Sequence, residues 1–257
     1  MTISSTHIDR ADIEFQQAAD ALKPFTGCFW TVTAERGATI RIVPDGTAAI
    51  GVEMSEGAAA RWRLRGPALR PAERRFTAPT RLVGVRLRPG VAFLLTRVPA
   101  HALVDRSIDL QLEGRAPETP AQCIATLQSF LLDRLRDTSV HPLVASALRE
   151  ISQHGGRLSV SDVASRCGVT ARHLHRLMRR WVGYGPKRYA SVVRFQATLG
   201  QMEQAPAQSA AALAANGGYF DQAHLTIDVG RFAGATPGGL RSYGVSDFSK
   251  THCDDLP

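Results

Sequence analysis

Residues 159–181 read SVSDVASRCGVTARHLHRLMRRW, and this stretch decides the C-terminal half of the chain. Ser159 stands three positions before Asp162, a capping arrangement, and Val160, Val163, Ala164 and Cys167 follow at i, i+3, i+4 and i+7. That spacing predicts a short helix with one apolar face, which Gly168 ends. Thr170 then caps a second helix in which Leu174, Leu177, Met178 and Trp181 repeat the apolar spacing. At about 100° per residue, Arg172, His175, Arg176 and Arg179 turn to the opposite face, with His173 and Arg180 on its flank.

Two short helices across a glycine turn, the second presenting cations, have the geometry that lets one helix enter a DNA major groove. Between Arg172 and Arg194 the chain carries seven Arg or Lys and no Asp or Glu. A merely solvated helix face mixes both signs to limit repulsion. Arginine, by contrast, forks onto guanine O6 and N7, while other cations neutralise phosphates. The one-sided charge therefore favours nucleic-acid recognition.

The 257 residues suffice for one large domain or two ordinary ones, and the 44% apolar, 21% charged composition is globular. A net charge of +8 and a pI near 9.9 favour a polyanionic partner. No apolar run approaches the roughly 18 residues that span a bilayer, and the N-terminus lacks a basic segment followed by an apolar one. No membrane partner and a cytoplasmic protein are expected. Cys28, Cys123, Cys167 and Cys253 show no C-x-x-C spacing, which signals neither a zinc site nor a disulfide framework.

Up to about residue 120 the chain reads as strands and turns. Pro44-Asp45-Gly46 lies between two apolar segments of 40–52 and predicts a hairpin. In 81–95, Val83, Val85 and Leu87 alternate with Gly84, Arg86 and Arg88 as in a half-buried strand; Pro89-Gly90 breaks it, and a second strand is expected beyond. Arg61, Arg63 and Arg65 alternate with Trp62 and Leu64, which fits a solvated strand edge or a surface for an anion. Trp30 and Trp62 are expected in the core. In 121–136 the period becomes helical, with Ile124, Leu127, Leu131 and Leu135 in a stripe widened by Phe130 and Leu132. Such a helix either caps the first domain's core, joins domains, or pairs with its copy in a homodimer. From His141-Pro142 onward no strand pattern remains, and a helix, glycine turn and helix recur at about 159–182 and 208–233. The expected division is a β-rich regulatory domain at 1–120, a connecting helix and linker at 121–140, and a helical domain at 141–257.

The C-terminal half resembles the AraC family of bacterial transcription regulators. Leu158, Ala164, Gly168, Thr170, Arg172, Leu174, Arg176 and Met178 carry the pattern, continued by Gly183, Pro186, Tyr189 and Arg194-Phe195. In the second unit it is carried by Gly218 to Leu225, Asp228, Arg231-Phe232, Gly234 and Thr236-Pro237. The resemblance covers roughly 142–243. It implies an α+β multidomain protein whose all-α C-terminal domain has two helix-turn-helix units joined by a long helix, here about 186–202, reading adjacent major grooves. Carried over by position, Arg172, His175 and Arg176 would face base edges, while Arg179, Arg180, Lys187 and Arg188 suit phosphates. In the second unit Gln222, Thr226 and Arg231 are the candidate DNA contacts.

That unit departs from the family. It reads HLTIDVGRFAG from His224 to Gly234, where arginines are usual. With Leu225, Val229 and Phe232 inward, Ala223, Ile227, Gly230 and Arg231 face out, and Ile227 offers at most methyl contacts. Gly230 adds a helix-interior penalty of about 1 kcal/mol against alanine. Weak reading or mere packing is the expectation for this unit, with Tyr219, Phe220 and Phe232 assigned to the core.

Residues about 20–115 are similar, more weakly, to a β-rich N-terminal domain of one subgroup of these regulators, which implies no defined ligand. His7 and His101 are the only histidines before His141, too few for a cupin-type metal centre, and no nucleophile elbow, P-loop or dinucleotide fingerprint occurs. The chain therefore reads as a regulator rather than an enzyme, with no cofactor or metal. Its implied partners are double-stranded DNA, a small-molecule effector, a second copy and RNA polymerase. The competing reading is a non-catalytic ligand-binding or interaction protein whose second unit has lost base readout.

Overall fold

The structure, a computed structural model, describes residues 3–8, 10–54, 61–112 and 117–242; Cys253 and the last part of the expected helical domain lie outside them. Among the described residues the N-terminal half forms nine strands. These are β1 (Ile3–Ile8), β2 (Ala11–Gln17), β3 (Thr26–Ala34), β4 (Thr39–Ile42), β5 (Ala48–Met54), β6 (Trp62–Arg65), β7 (Ala72–Arg75), β8 (Thr80–Leu87) and β9 (Ser107–Leu110). Seven make one antiparallel sheet in the order β1-β2-β3-β8-β5-β6-β9, and β4 pairs with β7 in a separate ribbon.

The register puts Phe29, Val85, Ile50 and Leu64 in one row across four neighbouring strands, and all four are fully buried. Helix α1 (Val91–Thr96) and helix α2 (Pro120–Leu135) cover that face. Thr119 and Gln122 start α2 with a reciprocal capping box, and Cys123, Leu127, Leu131 and Leu135 form its buried stripe. The stripe thus completes the first domain's own core, leaving only Leu132, 44% exposed, as a large apolar side chain of this helix that faces solvent. Ile124 and Phe130 flank it, half-buried. On the opposite sheet face Trp30 lies across Gly84 and Gly51: a β-carbon at Gly84 would stand 2.4 Å from the indole. Trp62 is buried, whereas Trp30 is half-buried.

Three local expectations fail here. Segments β4 and β5 do not form a hairpin, because β4 pairs with β7 while β5 is enclosed by β6 and β8. Residues 91–96 are helical rather than a strand: Val91 to Leu94 are all buried, so no alternating face exists to be paired. Strand β6 is interior to the sheet rather than an edge; Arg63 pairs with Asp109 at 3.2 Å, and Arg65 is half-buried. Cys28 is disulfide-bonded, which its isolated position did not signal, while Cys123 and Cys167 are free thiols.

The C-terminal half is helical: α3 (Pro142–Gln153), α4 (Val160–Arg166), α5 (Ala171–Val182), α6 (Pro186–Gln204), α7 (Ala210–Gly217), α8 (Gln222–Ala233) and α9 (Pro237–Ser242). Two cores form. Val144, Leu148, Ile151, Val163, Leu174 and Met178 fill the first, and Phe195, Leu199, Met202, Leu213, Leu225, Val229 and Phe232 fill the second. Helix α6 serves both, with Tyr189 in one and Phe195 in the other. No described helix is long and apolar enough to cross a membrane.

Candidate nucleic-acid interface

The caps read from the sequence form as hydrogen bonds. Ser159 Oγ accepts from the Asp162 amide at 3.1 Å and starts α4; Thr170 Oγ1 accepts from the His173 amide at 3.2 Å and starts α5. Between them Gly168 holds φ at +67°, a left-handed conformation that glycine adopts without cost. The second unit repeats the device, with Ser209 capping α7, Gly218 at φ +73° and Asp221 capping α8 through a 2.7 Å bond from the His224 amide. Two helix-turn-helix units therefore stand at the two ends of α6.

Once Leu174, Met178 and Val182 are buried, the rest of α5 has no choice of face. Arg172, His175, Arg176, Arg179 and Arg180 are all exposed, and Lys187 is exposed at the start of α6 with Arg188 half-buried beside it. Arg176 Nη2 donates to His173 Nδ1 at 3.2 Å, which orients the guanidinium without neutralising it. Arg180 is held differently: its guanidinium lies 5.2 Å above the Phe93 ring of α1, so part of it is committed to the N-terminal domain. Trp181, expected on the inner face of α5, is half-buried and meets the same Phe93 at 4.6 Å.

A groove of about 610 Å³ runs along this face. Thr170, Arg172, His173, His175, Arg176, Arg179 and Arg180 line one side; Pro99 and His101, from the N-terminal domain, line the other. No carboxylate is among them. Four guanidiniums and three imidazoles thus converge there unpaired by acid, a charge arrangement complementary to a polyanion. In the sequence His101 figures only as a histidine too isolated for a metal centre. Nothing local marks it, because what matters is its position opposite α5.

The second unit is poorer. Gln222 is exposed at the first turn of α8. Thr226 Oγ1 donates back to the Gln222 carbonyl at 2.8 Å, and Arg231 Nη1 is bound to Asp228 Oδ1 at 3.1 Å. Two of the three candidate contacts here are thus partly engaged within the helix. Ile227, 59% exposed, occupies the outward face together with Ala223 and Gly230, as its spacing requires. Phe220, assigned to the core by sequence, is 93% exposed: the Asp221 cap turns the chain at this point, and the Tyr219 ring fills the place inside.

Arg194, the last of the seven cations counted above, belongs to no interface. Its Nη1 donates to the Gly156 carbonyl at 2.6 Å, its Nη2 to Ser191 Oγ at 3.2 Å, and it lies 3.8 Å from Asp228 Oδ2. It ties the α3–α4 turn to α8 and so fixes one helix-turn-helix against the other. Arg157, which donates to the Asn216 carbonyl, adds a second tie.

Two known protein families match the chain: a domain of unknown function (DUF6597) at residues 14–109, and a helix-turn-helix domain at residues 163–243. No curated protein matches. Among solved structures the chain is similar to ToxT from Vibrio cholerae, at 8% identity over 84% of this chain and 98% of ToxT, with a TM-score of 0.49. It is also similar to ToxT from Vibrio cholerae O395, at 9% identity over 86% and 98%, TM-score 0.45. A third similar structure is unsaturated fatty acid bound ToxT from Vibrio cholerae strain SCE256, at 8% identity over 80% and 91%, TM-score 0.44. The paired caps, glycine turns and shared α6 are those of an AraC-type helix-turn-helix domain, carried at the C-terminus of a chain whose N-terminal domain matches the family of unknown function.

Proposed function

We propose that this chain is a sequence-reading transcription regulator that binds duplex DNA through α5 and whose N-terminal domain passes a small-molecule signal to that helix. The acid-free cationic face of α5 carries the reading. Arg172, His175 and Arg176, near the start of the helix, read base edges, because the N-terminal turns of a recognition helix lie deepest in the groove. Arg179, Lys187 and Arg188 contact phosphates and set register. On α8 Thr226 and Arg231 are each partly engaged within the helix and Ile227 holds the outward face, so the second unit positions more than it reads. The regulatory role of the N-terminal domain is supported by Phe93, whose contact with Trp181 and Arg180 means that a shift of α1 moves α5.

Selection of random duplex DNA on the purified protein tests this, followed by binding of the winning sequence at two salt concentrations. A motif confined to one half-site is expected. Arg176→Ala should cost about 1–3 kcal/mol on that motif and much less on scrambled DNA. Lys187→Ala should weaken both equally and lower the salt slope by about one. Equal behaviour of the two variants would reject this division of roles, and binding without enrichment would favour a non-specific interaction protein.

A further inference from the structure

We infer that the N-terminal domain supplies part of the DNA-binding surface, with His101 contacting the backbone of the same duplex that α5 enters. This rests on the DNA-binding reading and adds a residue to it from the other domain.

His101 sits on a short 3-10 turn, Ala100–Ala102. The turn is rigid: the Ala102 amide donates to the Pro99 carbonyl at 2.8 Å and the Leu103 amide to the Ala100 carbonyl at 3.0 Å, with Ala100 and Leu103 buried beneath it. It is also fixed to the recognition helix. At Gly183, where α5 ends with φ at +105°, a β-carbon would lie 2.9 Å from both Pro67 and Val104 and 3.3 Å from the Ala100 carbonyl oxygen. The two backbones therefore touch, and a duplex that meets α5 also meets this turn.

Within that shared groove the imidazole of His101 is exposed and has no hydrogen-bond or ion-pair partner among the described residues. The groups facing it from α5 are Arg172, Arg176, Arg179 and Arg180, all permanently charged, and His173 and His175. Asp105, the next acid along the chain, is turned away to accept from the Leu69 and Arg70 amides. A phosphate laid between the walls can accept a hydrogen bond from the His101 ring N–H while it lies among the α5 guanidiniums. A backbone contact carries no sequence information, so its loss acts alike on every duplex.

The test uses the full chain, its selected duplex and a scrambled duplex of equal length, with affinities measured by fluorescence anisotropy. His101→Ala and His101→Gln are compared with wild type; the residue is exposed, and an unchanged urea midpoint verifies the fold. His101→Ala should bind about fivefold more weakly on both duplexes, and His101→Gln, which keeps an N–H donor, should recover part of the loss. Unchanged affinity of His101→Ala overturns the inference, and tighter binding overturns it by showing that the turn obstructs the duplex. A wild type that binds no DNA would sink the DNA-binding reading and this inference together, whereas a binding wild type matched by its variants removes His101 alone.

Discussion

Replacement of Asp228 by alanine is expected to destabilise the second helix-turn-helix by about 3–5 kcal/mol, the cost of leaving buried charge without its partner. The Asp228 side chain is only 3% exposed and lies 3.1 Å from Arg231 Nη1, 3.8 Å from Arg194 Nη2 and 3.8 Å from His224 Nε2. Arg194 is itself largely buried, and its other bonds, to the Gly156 carbonyl and Ser191 Oγ, are neutral. Without the carboxylate that guanidinium has no counter-charge, and α8 loses its electrostatic tie to α6. Asp228→Asn, which keeps an acceptor for Arg231, should cost less, on the order of 1–3 kcal/mol. Urea unfolding followed by circular dichroism measures the loss, and hydrogen exchange should localise it to α7 and α8. A loss under about 1 kcal/mol for alanine would mean that the cluster is solvated rather than buried.

Gly46→Val is expected to release the N-terminal domain from α6. Gly46 has φ at +83°, and a β-carbon there would meet Tyr189 Cε2 at 2.9 Å. A β-branched residue in left-handed backbone costs about 1–2 kcal/mol before any clash is counted. The segment around it is inserted into the C-terminal domain: Val43 is buried with Phe195 and Phe232, and the Pro44 carbonyl accepts from Gln196 Nε2 at 2.7 Å. Asp45 follows, with Oδ1 accepting from the Thr47 amide at 2.9 Å and Oδ2 lying 3.4 Å from Arg86 Nε. Burial lowers the pKa of Arg86 and of Arg65, and the Asp45 carboxylate opposes that shift in both. Expulsion of this loop would leave Gln196 without its acceptor and two part-buried guanidiniums without their shared acid. Rapid proteolysis at 43–47 and loss of amide protection along 189–196 should report it; wild-type protection in the variant would show that the loop is not a latch.

The same junction predicts an alkaline limit to stability. Burial pushes the Tyr189 phenol up to about 12 and the Tyr184 phenol well above its ordinary value. The unfolded chain ionises its tyrosines near pH 10, while the folded chain keeps them neutral. The stabilisation is therefore complete below about pH 10 and is lost as pH rises toward 12. Thermal unfolding across that range should show a falling midpoint, and Tyr189→Phe should flatten the decline.

What could be read without coordinates was what local chemistry dictates. Ser159, Thr170 and the apolar spacing of α4 and α5 fix two helices and their turn through contacts only a few residues apart, so the cationic face of α5 and the outward position of Ile227 followed from periodicity alone. The core face of β8 was legible for the same reason, since alternation at Val83, Val85 and Leu87 is a local pattern. Pro44-Asp45-Gly46 looked like a hairpin turn because its composition is that of one. Its actual role depends on Tyr189 and Gln196, more than a hundred residues away, whose surface no window of sequence contains. Phe220 was misjudged likewise, since burial of an aromatic depends on which helix arrives beside it, and the engagement of Arg194 with Gly156, Ser191 and Asp228 was equally out of view. His101 shows the limit most clearly: an unremarkable histidine in a loop becomes a wall of the cationic groove only because Gly183 lets the two backbones meet. Local propensity determined the reading helix, and long-range packing determined what stands next to it.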